Sequence, residues 1–394
     1  MKLFSDQRGQ TTIVIALGIF TLCGMAGLAA DVGTLFRVKR ILQTAADAGA
    51  IAAAAEARYG DDNAAALAIA TLNGVTNGSN GYTVTESITA SGYRVVASQS
   101  APTFFMKVFG LNSMSVSATA VANNGPASGC IYALDPSGVD IGMTGSGSLN
   151  LPDCGIVINS ASSNALNVTG SGSITAESVG IVGNYKVTGS GTISPHPVTG
   201  IAPAADPLAY ISAPAWTSSS CLSDPHFTGS TSHSIGPTIS GGTVCYNGLN
   251  NTGSGSLTLQ PGVYVINGSM SSTGSGSISG TGVTVYLAPP NGSLSLTGSG
   301  SLTISAPTTG AYNGILFYED RTDTNIMKVT GSGSSNLQGI FYAPNAALNL
   351  TGSSGTAINA DLVVHALSMT GSGNFGNYSS INPNEPLTSP TLVQ

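Results

Sequence analysis

The segment "LSLTGSGSLTI" (residues 294–304) decides how most of this chain is interpreted, because close copies of it recur through the last two-thirds of the sequence. Its aliphatic and glycine residues occupy every second position, and its Ser and Thr residues occupy the positions between them. Alternate residues of a β-strand face opposite sides of a sheet, so the aliphatic side chains should point inward and the hydroxyls outward. The paired glycines permit a corner, or close contact between opposite walls. The segment therefore predicts a strand–bend–strand unit and not a flexible linker.

The TGSG-type core recurs at a nearly constant spacing. Six of the eight gaps between successive copies lie between 19 and 25 residues, and the 64-residue gap equals about three such periods. Repeats of this length are typical of one coil of a β-solenoid. We predict a mainly-β parallel β-helix (β-solenoid) over residues 125–378, with about nine to eleven coils and the right-handed sense that parallel crossovers favour. The copies begin at Thr144, Thr169, Thr188, Thr252, Thr273, Thr297, Thr330, Thr351 and Thr370.

One stretch interrupts the repeat. Residues 194–250 contain seven of the 19 prolines, so we interpret this stretch as a loop excursion with irregular coils inside the solenoid. A stack of coils also leaves unpaired strand edges at its two ends, and these need caps. The module that precedes the solenoid and the polar tail 379–394 are the candidates for the two caps.

The composition restricts the class of partner. Only 7% of the residues are charged, against about 25% in an ordinary soluble domain. The net charge of −7 is uneven, because residues 126–394 hold three basic and eleven acidic side chains. Such a surface lacks the Lys and Arg that phosphate binding needs, so nucleic acid is excluded as a partner. Low charge with many small polar residues favours an extracytoplasmic repetitive β structure.

The N-terminal region contains a candidate membrane span. The 22 residues between Arg8 and Asp31 carry no charge, and as a helix they would extend about 33 Å, enough to cross a hydrocarbon core. A cleaved signal peptide is the alternative, but the apolar run is too long for an ordinary signal core. We therefore predict a retained transmembrane helix within residues 1–30, and the Lys and Arg residues on its two sides do not settle its orientation. The anchoring side chains are Ile13, Val14, Ile15, Leu17, Ile19, Phe20 and Leu22.

A small α+β module (residues 31–124) should follow the span. Apolar residues recur at three- and four-residue steps from Leu35, which predicts an extended helix over 31–60 and a shorter helix from Asp61 or Asp62. From Gly74 to Ala122 the period changes to two, and the segments are rich in β-branched residues.

Three stretches of this region resemble TadG-like proteins, which are associated with the assembly of Flp (tight-adherence) pili. They are "DQRGQTTIVIALGIFTLCGMAGLAADVG" (6–33), "LQTAADAGAIAAA" (42–54) and "PTFFMKVFGLNSMSVSATAVA" (102–122). The resemblance implies a single-pass protein of the bacterial inner membrane, with a cytoplasmic N-terminus and a periplasmic or cell-surface body. TadE-class relatives can be cleaved after a glycine that precedes a glutamate. Gly9 is followed by no such glutamate, so prepilin-type cleavage is not expected here.

The cysteines predict two disulfides. Cys130 and Cys154 are 24 residues apart, and so are Cys221 and Cys245. A separation near one coil places both partners at similar positions on neighbouring coils, within disulfide reach. These two bridges are our choice among the three pairings of four cysteines, and they favour an oxidising compartment. The sequence shows no CxxC and no nearby histidine, so we predict no metal site at the cysteines.

Chemistry is sparse elsewhere. The densest ionisable patch is "YEDRTD", where Glu319, Asp320 and Asp323 are candidates for a cation-binding loop or for acid–base glycoside cleavage. A solvated loop with local ion pairs is the preferred interpretation. The outward Thr and Ser ladders suggest ice or polysaccharide binding, but a plain low-charge surface explains them as well. We assign no catalytic residue, no cofactor and no metal.

These observations predict a membrane-anchored, extracytoplasmic structural protein of Flp pilus assembly or surface adhesion. Its expected partners are the membrane and other pilus-assembly or pilin-like proteins, with surface polysaccharide as a further candidate. The alternatives are a carbohydrate-active β-helix enzyme and a polysaccharide- or ice-binding adhesin unrelated to pili.

Overall fold

The computed structural model describes residues 10–57, 60–89, 91–126, 129–331, 335–352, 357–376, 378 and 388–393. The predicted cytoplasmic N-terminus and most of the predicted tail 379–394 lie outside these residues. The chain divides into two units, one of Met1–Gly125 with Ser389–Gln394 and the other of Pro126–Thr388.

The first unit combines two helices with a four-stranded sheet. Its elements are α1 (Gln10–Glu56), α2 (Asp62–Leu72), β1 (Tyr82–Thr89), β2 (Gly92–Pro102), a 3₁₀ helix (Met106–Phe109) and β3 (Ser113–Pro126). β1, β2 and β3 form an antiparallel meander. The fourth strand, Thr388–Leu392, comes from the far end of the chain and pairs with β3.

Small residues hold α1 against this sheet. The second half of α1 buries Leu42 and a row of alanines against α2 and the strands. Alanine allows close helix–sheet packing at little side-chain entropy cost. At Gly49 a Cβ would lie 3.3 Å from the Ala66 carbonyl oxygen, so the two helices are packed tightly at that point.

The second unit is built from short parallel strands, numbered here in chain order. The first group is β4 (Gly129–Ala133), β5 (Ile141–Gly145), β6 (Ser148–Leu151), β7 (Gly155–Ile158), β8 (Leu166–Gly170), β9 (Ser173–Ala176), β10 (Val179–Ile181), β11 (Tyr185–Gly189), β12 (Thr192–Ser194) and β13 (Val198–Thr199). After a 3₁₀ turn at Ser218–Ser220 come β14 (His226–Phe227), β15 (His233–Ile235), β16 (Thr243–Tyr246), β17 (Leu249–Asn251), β18 (Leu257–Leu259), β19 (Gly262–Ile266), β20 (Ser269–Ser272) and β21 (Ile278–Thr281). The last group is β22 (Val283–Leu287), β23 (Ser293–Leu296), β24 (Leu302–Ser305), β25 (Ile315–Glu319), β26 (Met327–Gly331), β27 (Asn336–Gly352), β28 (Ala357–Gly371) and β29 (Asn374–Gly376). The remaining strand, Thr388–Leu392, is β30.

These strands form the coils of a parallel β-helix, as predicted. One coil has three strands, each on its own face, as in β22, β23 and β24. Each strand pairs in parallel with the strand on the same face of the neighbouring coil, here β19, β20 and β21. In the segment 294–304 the aliphatic side chains are buried, whereas Thr297 and Thr303 are exposed. The TGSGS stretch forms the corner between β23 and β24. The described residues form ten coils, over 129–151, 155–176, 179–194, 222–235, 243–259, 262–281, 283–305, 315–338, 340–359 and 361–376.

The corner glycines act between coils. A Cβ on Gly298 would lie 2.3 Å from the Gly274 carbonyl oxygen, and one on Gly300 would lie 2.0 Å from the Gly276 oxygen. Of the two roles that the sequence left open for these glycines, the structure shows the corner, and the close approach there is to the neighbouring coil. Glycine is needed because a side chain has no room between stacked corners.

The coils do not stack in chain order. β28 pairs with β27 on one side and with β4 and β5 on the other, and β29 pairs with β6. The last coil made by the chain, 361–376, therefore lies next to the first, 129–151. From one end, the stack reads 222–235, 243–259, 262–281, 283–305, 315–338, 340–359, 361–376, 129–151, 155–176 and 179–194.

A strap, residues 200–221, connects the two ends of this stack. Asn159 exchanges two hydrogen bonds with the main chain of Ala204, at 2.7 and 2.8 Å. Further along, Leu208 and Ile211 are buried in a cluster of side chains that includes Tyr318 and Tyr342. Pairing resumes at the bridge between Leu222 and Tyr246. The predicted excursion 194–250 is thus an ordered strap followed by further coils.

The stack order shows where the chain enters the solenoid. The chain enters the solenoid at coil 129–151, which lies inside the stack between coils 361–376 and 155–176. The described part of the tail, β30, belongs to the sheet of the first unit. In sequence terms the solenoid is an insertion between β3 and β30, two neighbouring strands of one sheet.

Candidate functional site

The first half of α1 exposes apolar side chains on all sides. Residues 12–26 are all exposed, and the seven predicted anchor side chains are 55–80% exposed. The helix has a window with a mean hydropathy of 2.3, and its length suffices to cross a membrane. The core helix of a water-soluble domain would bury such a surface. The helix is therefore consistent with a single-pass membrane anchor, as predicted from the sequence.

A buried carboxylate marks the end of this apolar stretch. Asp31 is 1% exposed and accepts hydrogen bonds from the backbone N–H groups of Phe104, Phe105 and Met106 at 2.8, 2.8 and 2.7 Å. Desolvation acts to raise the pKa of Asp31, but the three donors outweigh it and hold the pKa below its ordinary value. No sequence pattern links Asp31 to these three residues, because they lie 73–75 residues further along the chain.

Both predicted disulfides are present. Cys130–Cys154 joins coil 129–151 to the next coil, with a Cα–Cα distance of 5.7 Å. Cys221–Cys245 joins the end of the strap to coil 243–259, with a Cα–Cα distance of 4.4 Å. The 24-residue spacing is close to one coil length, so each pair lies on adjacent parts of the stack, as predicted. Cys23 lies exposed on the apolar half of α1 and is free.

The acidic patch does not form an open site. Glu319 is fully buried and Asp323 is 7% exposed, and neither Glu319 carboxylate oxygen has a hydrogen-bond partner among the described residues. Burial, with the nearby Asp323 charge, raises the pKa of Glu319 to about 8. Within the described part of the chain, no group of three His, Cys, Asp or Glu side chains is placed to hold a metal ion.

The remaining residues of the patch hold the strap. Arg321 donates from Nη2 to the carbonyl oxygens of Leu208 and Ile211, both at 2.9 Å. The Tyr342 hydroxyl donates to Asp206 at 2.6 Å, and the Tyr318 hydroxyl donates to the Ile211 carbonyl at 3.1 Å. Asp320 accepts the Tyr286 hydroxyl at 2.5 Å. We conclude that Asp320 and Arg321 have structural partners, which differs from the solvated loop expected from the sequence.

The outward threonines form a register-matched row. Thr330, Thr351, Thr370, Thr144, Thr169 and Thr188 pair in sequence across six consecutive coils. Each is exposed or half-buried. The row follows the stack order, so it crosses the junction between the last and first coils without a break. The row consists of threonine side chains and carries no charge of its own.

Two protein-family models match the N-terminal region. Residues 9–56 match the model described as putative Flp pilus-assembly TadE/G-like, and residues 35–122 match the model described as putative Tad-like Flp pilus-assembly. No curated protein and no solved structure matches the chain significantly. The matched segments are α1, α2 and β1 to β3, the elements that carry the exposed apolar helix and the Asp31 contact. The first unit is therefore similar to Tad-type pilus-assembly domains, and this similarity supports a role related to Flp pili.

Proposed function

We propose that this protein is a membrane-anchored, non-catalytic structural component of Flp pilus assembly. The N-terminus lies in the cytoplasm, α1 crosses the inner membrane, and the solenoid lies outside the cytoplasm. The observation that carries the proposal is that the Tad-type match over residues 9–56 includes α1, whose first half exposes its apolar side chains. The α1 helix associates with other assembly components within the membrane.

Two further features support this role. The two disulfides fit an oxidising compartment, where such bonds persist. The carboxylates that a glycoside-cleaving enzyme would need are buried or engaged: Glu319 is closed to solvent and Asp320 is bonded to Tyr286. This burial and bonding support the proposal that the solenoid is a scaffold.

Membrane fractionation tests the anchor with a matched pair of variants. Phe20 and Leu72 are both 80% exposed, but only Phe20 lies in the apolar segment. Each arginine in the middle of a span costs about 2.5–3.5 kcal/mol. We expect Leu17→Arg with Phe20→Arg to move the protein from the carbonate-resistant membrane fraction to the soluble fraction, and Leu72→Arg to leave it in the membrane. Equal behaviour of the two proteins would contradict the anchor.

Deletion of the gene tests the pilus role. We expect loss of surface pili, restored by the full chain and not by the Leu17→Arg, Phe20→Arg form. Protease added to spheroplasts should cleave the exposed body, and protease added to the cytoplasmic face should not. Normal piliation of the deletion strain, or a solenoid protected in spheroplasts, would contradict the proposal.

A further inference from the structure

The loop between β2 and β3, residues 103–112, exposes an unusual number of large apolar side chains. Phe104 is 67% exposed, Val108 82%, Phe109 81% and Leu111 52%. Soluble proteins rarely leave so many neighbouring apolar side chains in water, and such patches mark membrane or protein contacts. The loop contains one charged residue, Lys107, which is also exposed.

Hydrogen bonds to α1 and across the base of the loop hold the loop backbone in place. Asp31 accepts the N–H groups of three consecutive loop residues, at 2.7–2.8 Å. The Thr103 N–H donates to the Asn112 carbonyl at 3.1 Å and closes the base of the loop. The 3₁₀ helix Met106–Phe109 lies between these contacts. The apolar side chains are therefore held outward by a fixed backbone.

The loop is attached at a defined height along α1. A Cβ on Gly27 would lie 2.4 Å from the Phe105 ring, so Phe105 lies directly on the helix backbone at that point. Residues 10–30 of α1 span about 31 Å as a helix, which matches the hydrocarbon thickness of a bilayer. Gly27 and Asp31 lie at the end of this stretch. A membrane that surrounds α1 would therefore have its surface at the height of the loop.

We propose that the 103–112 loop is a second membrane contact, which inserts Phe104, Val108 and Phe109 into the interfacial layer of the bilayer beside α1. This inference rests on the proposed membrane anchor. The lipid is favoured over a protein partner because the exposed loop side chains continue the bare apolar surface of residues 12–26. Lys107 fits the same position, since its ammonium group can reach the lipid headgroups while its stem stays in the apolar layer.

A membrane contact at the loop would restrict the orientation of α1 in the bilayer. A single helix fixes neither its tilt nor its rotation in a bilayer, whereas contacts at the interface do. A second contact on one side of α1 would fix the rotation of the helix and so the direction in which the first unit faces. Asp31 makes this possible at low cost, because its charge is bonded to three amides where the helix leaves the apolar layer.

Depth-dependent fluorescence quenching tests the loop in the full-length protein. The sequence has one tryptophan, so a Trp216→Phe background allows a single new probe. We place it at Phe109, at Phe20 in the span, or at Ile88, which is 70% exposed. Ile88 pairs with Tyr93 at the end of β2 far from the loop, so Ile88→Trp is the matched control. Each protein is reconstituted into phosphatidylcholine vesicles that contain lipids brominated at a shallow or a deep position.

We expect bromine to quench Phe109→Trp at least twofold more than Ile88→Trp, most strongly with the shallow label, and Phe20→Trp to be quenched best by the deep label. Val108→Trp should behave like Phe109→Trp and guards against a local effect of one substitution. Quenching of Phe20→Trp without quenching at either loop position would overturn the loop inference and leave the anchor intact. A loop probe shielded from acrylamide yet untouched by bromine would place protein on the loop, and would also overturn it. An unquenched Phe20→Trp would contradict the proposed anchor itself.

Discussion

Replacing Gly298 by alanine should destabilise the solenoid, because the absent side chain is what lets adjacent corners approach. A Cβ there would lie 2.3 Å from the Gly274 carbonyl oxygen, about 1 Å inside the ordinary contact distance. The backbone of Gly298 does not adopt a positive φ, so the substitution tests packing alone. The nearest atoms are backbone and cannot rotate away.

The size of the effect follows from the hydrogen bonds beside the clash. Gly298 N–H donates to the Ser272 carbonyl at 2.8 Å, and Ser299 N–H donates to the Gly274 carbonyl at 3.1 Å. Moving the corner by about 1 Å would weaken both bonds, at about 1 kcal/mol each. Overpacking adds about 1–3 kcal/mol. We expect the free energy of unfolding to fall by about 3–5 kcal/mol.

Gly229 provides the matched control. It occupies the same corner position in coil 222–235, the terminal coil, and the atom nearest to its Cβ position is 3.9 Å away. Gly229→Ala should be neutral, or stabilising by about 0.4–1 kcal/mol through the unfolded chain. Urea unfolding of the full chain in detergent, followed by circular dichroism and Trp216 fluorescence, compares the two. Equal midpoints for the two variants would refute the glycine argument.

Three further predictions concern the buried carboxylate, the strap and a disulfide. The pKa of Glu319 is raised from 4.5 to about 8, so its protonated form is stable in the fold and stability falls as pH rises through that range. Urea unfolding of Glu319→Gln should therefore show a free energy of unfolding that is higher at pH 8.5 by up to about 5 kcal/mol and unchanged at pH 4. The exposed Asp153→Asn should leave the free energy of unfolding unchanged at both pH values. Arg321→Ala removes two bonds to the strap, so proteolysis within 200–221 should accelerate about tenfold, whereas the exposed Lys328→Ala should not alter it. Replacing Cys130 and Cys154 together by alanine should cost about 3.5 kcal/mol, and an unchanged midpoint would show that this bridge adds no stability.

The sequence predicted the local structure well because the relevant signals are local. The alternation of Leu294, Leu296, Leu302 and Ile304 with hydroxyl residues identified the buried face, and the structure buries all four. The repeat length predicted the coil, and the 24-residue cysteine spacing predicted both bridges. The uncharged stretch before Asp31 predicted the exposed helix.

The stack order was not predictable from the repeat. Every coil has a similar corner, so Leu362 pairs with Ile131 in the same way that Val179 pairs with Ile156. Such equivalent surfaces do not specify which coil follows which. The contacts that distinguish this order are long-range ones, and several are to main-chain atoms. Arg321, for example, binds main-chain carbonyl groups more than one hundred residues away. Every residue has such a carbonyl group, so the sequence does not identify these partners.

The observed order places the coil where the chain enters the solenoid next to the coil where it leaves. Coils built in chain order would separate the first and last by nine steps of about 4.8 Å, or about 43 Å. Here coils 129–151 and 361–376 are neighbours, and the Tyr378 N–H is still bonded to Asp361 of the last coil at 2.9 Å. The chain therefore leaves the solenoid beside the point where it entered, which is the condition for an insertion to be tolerated.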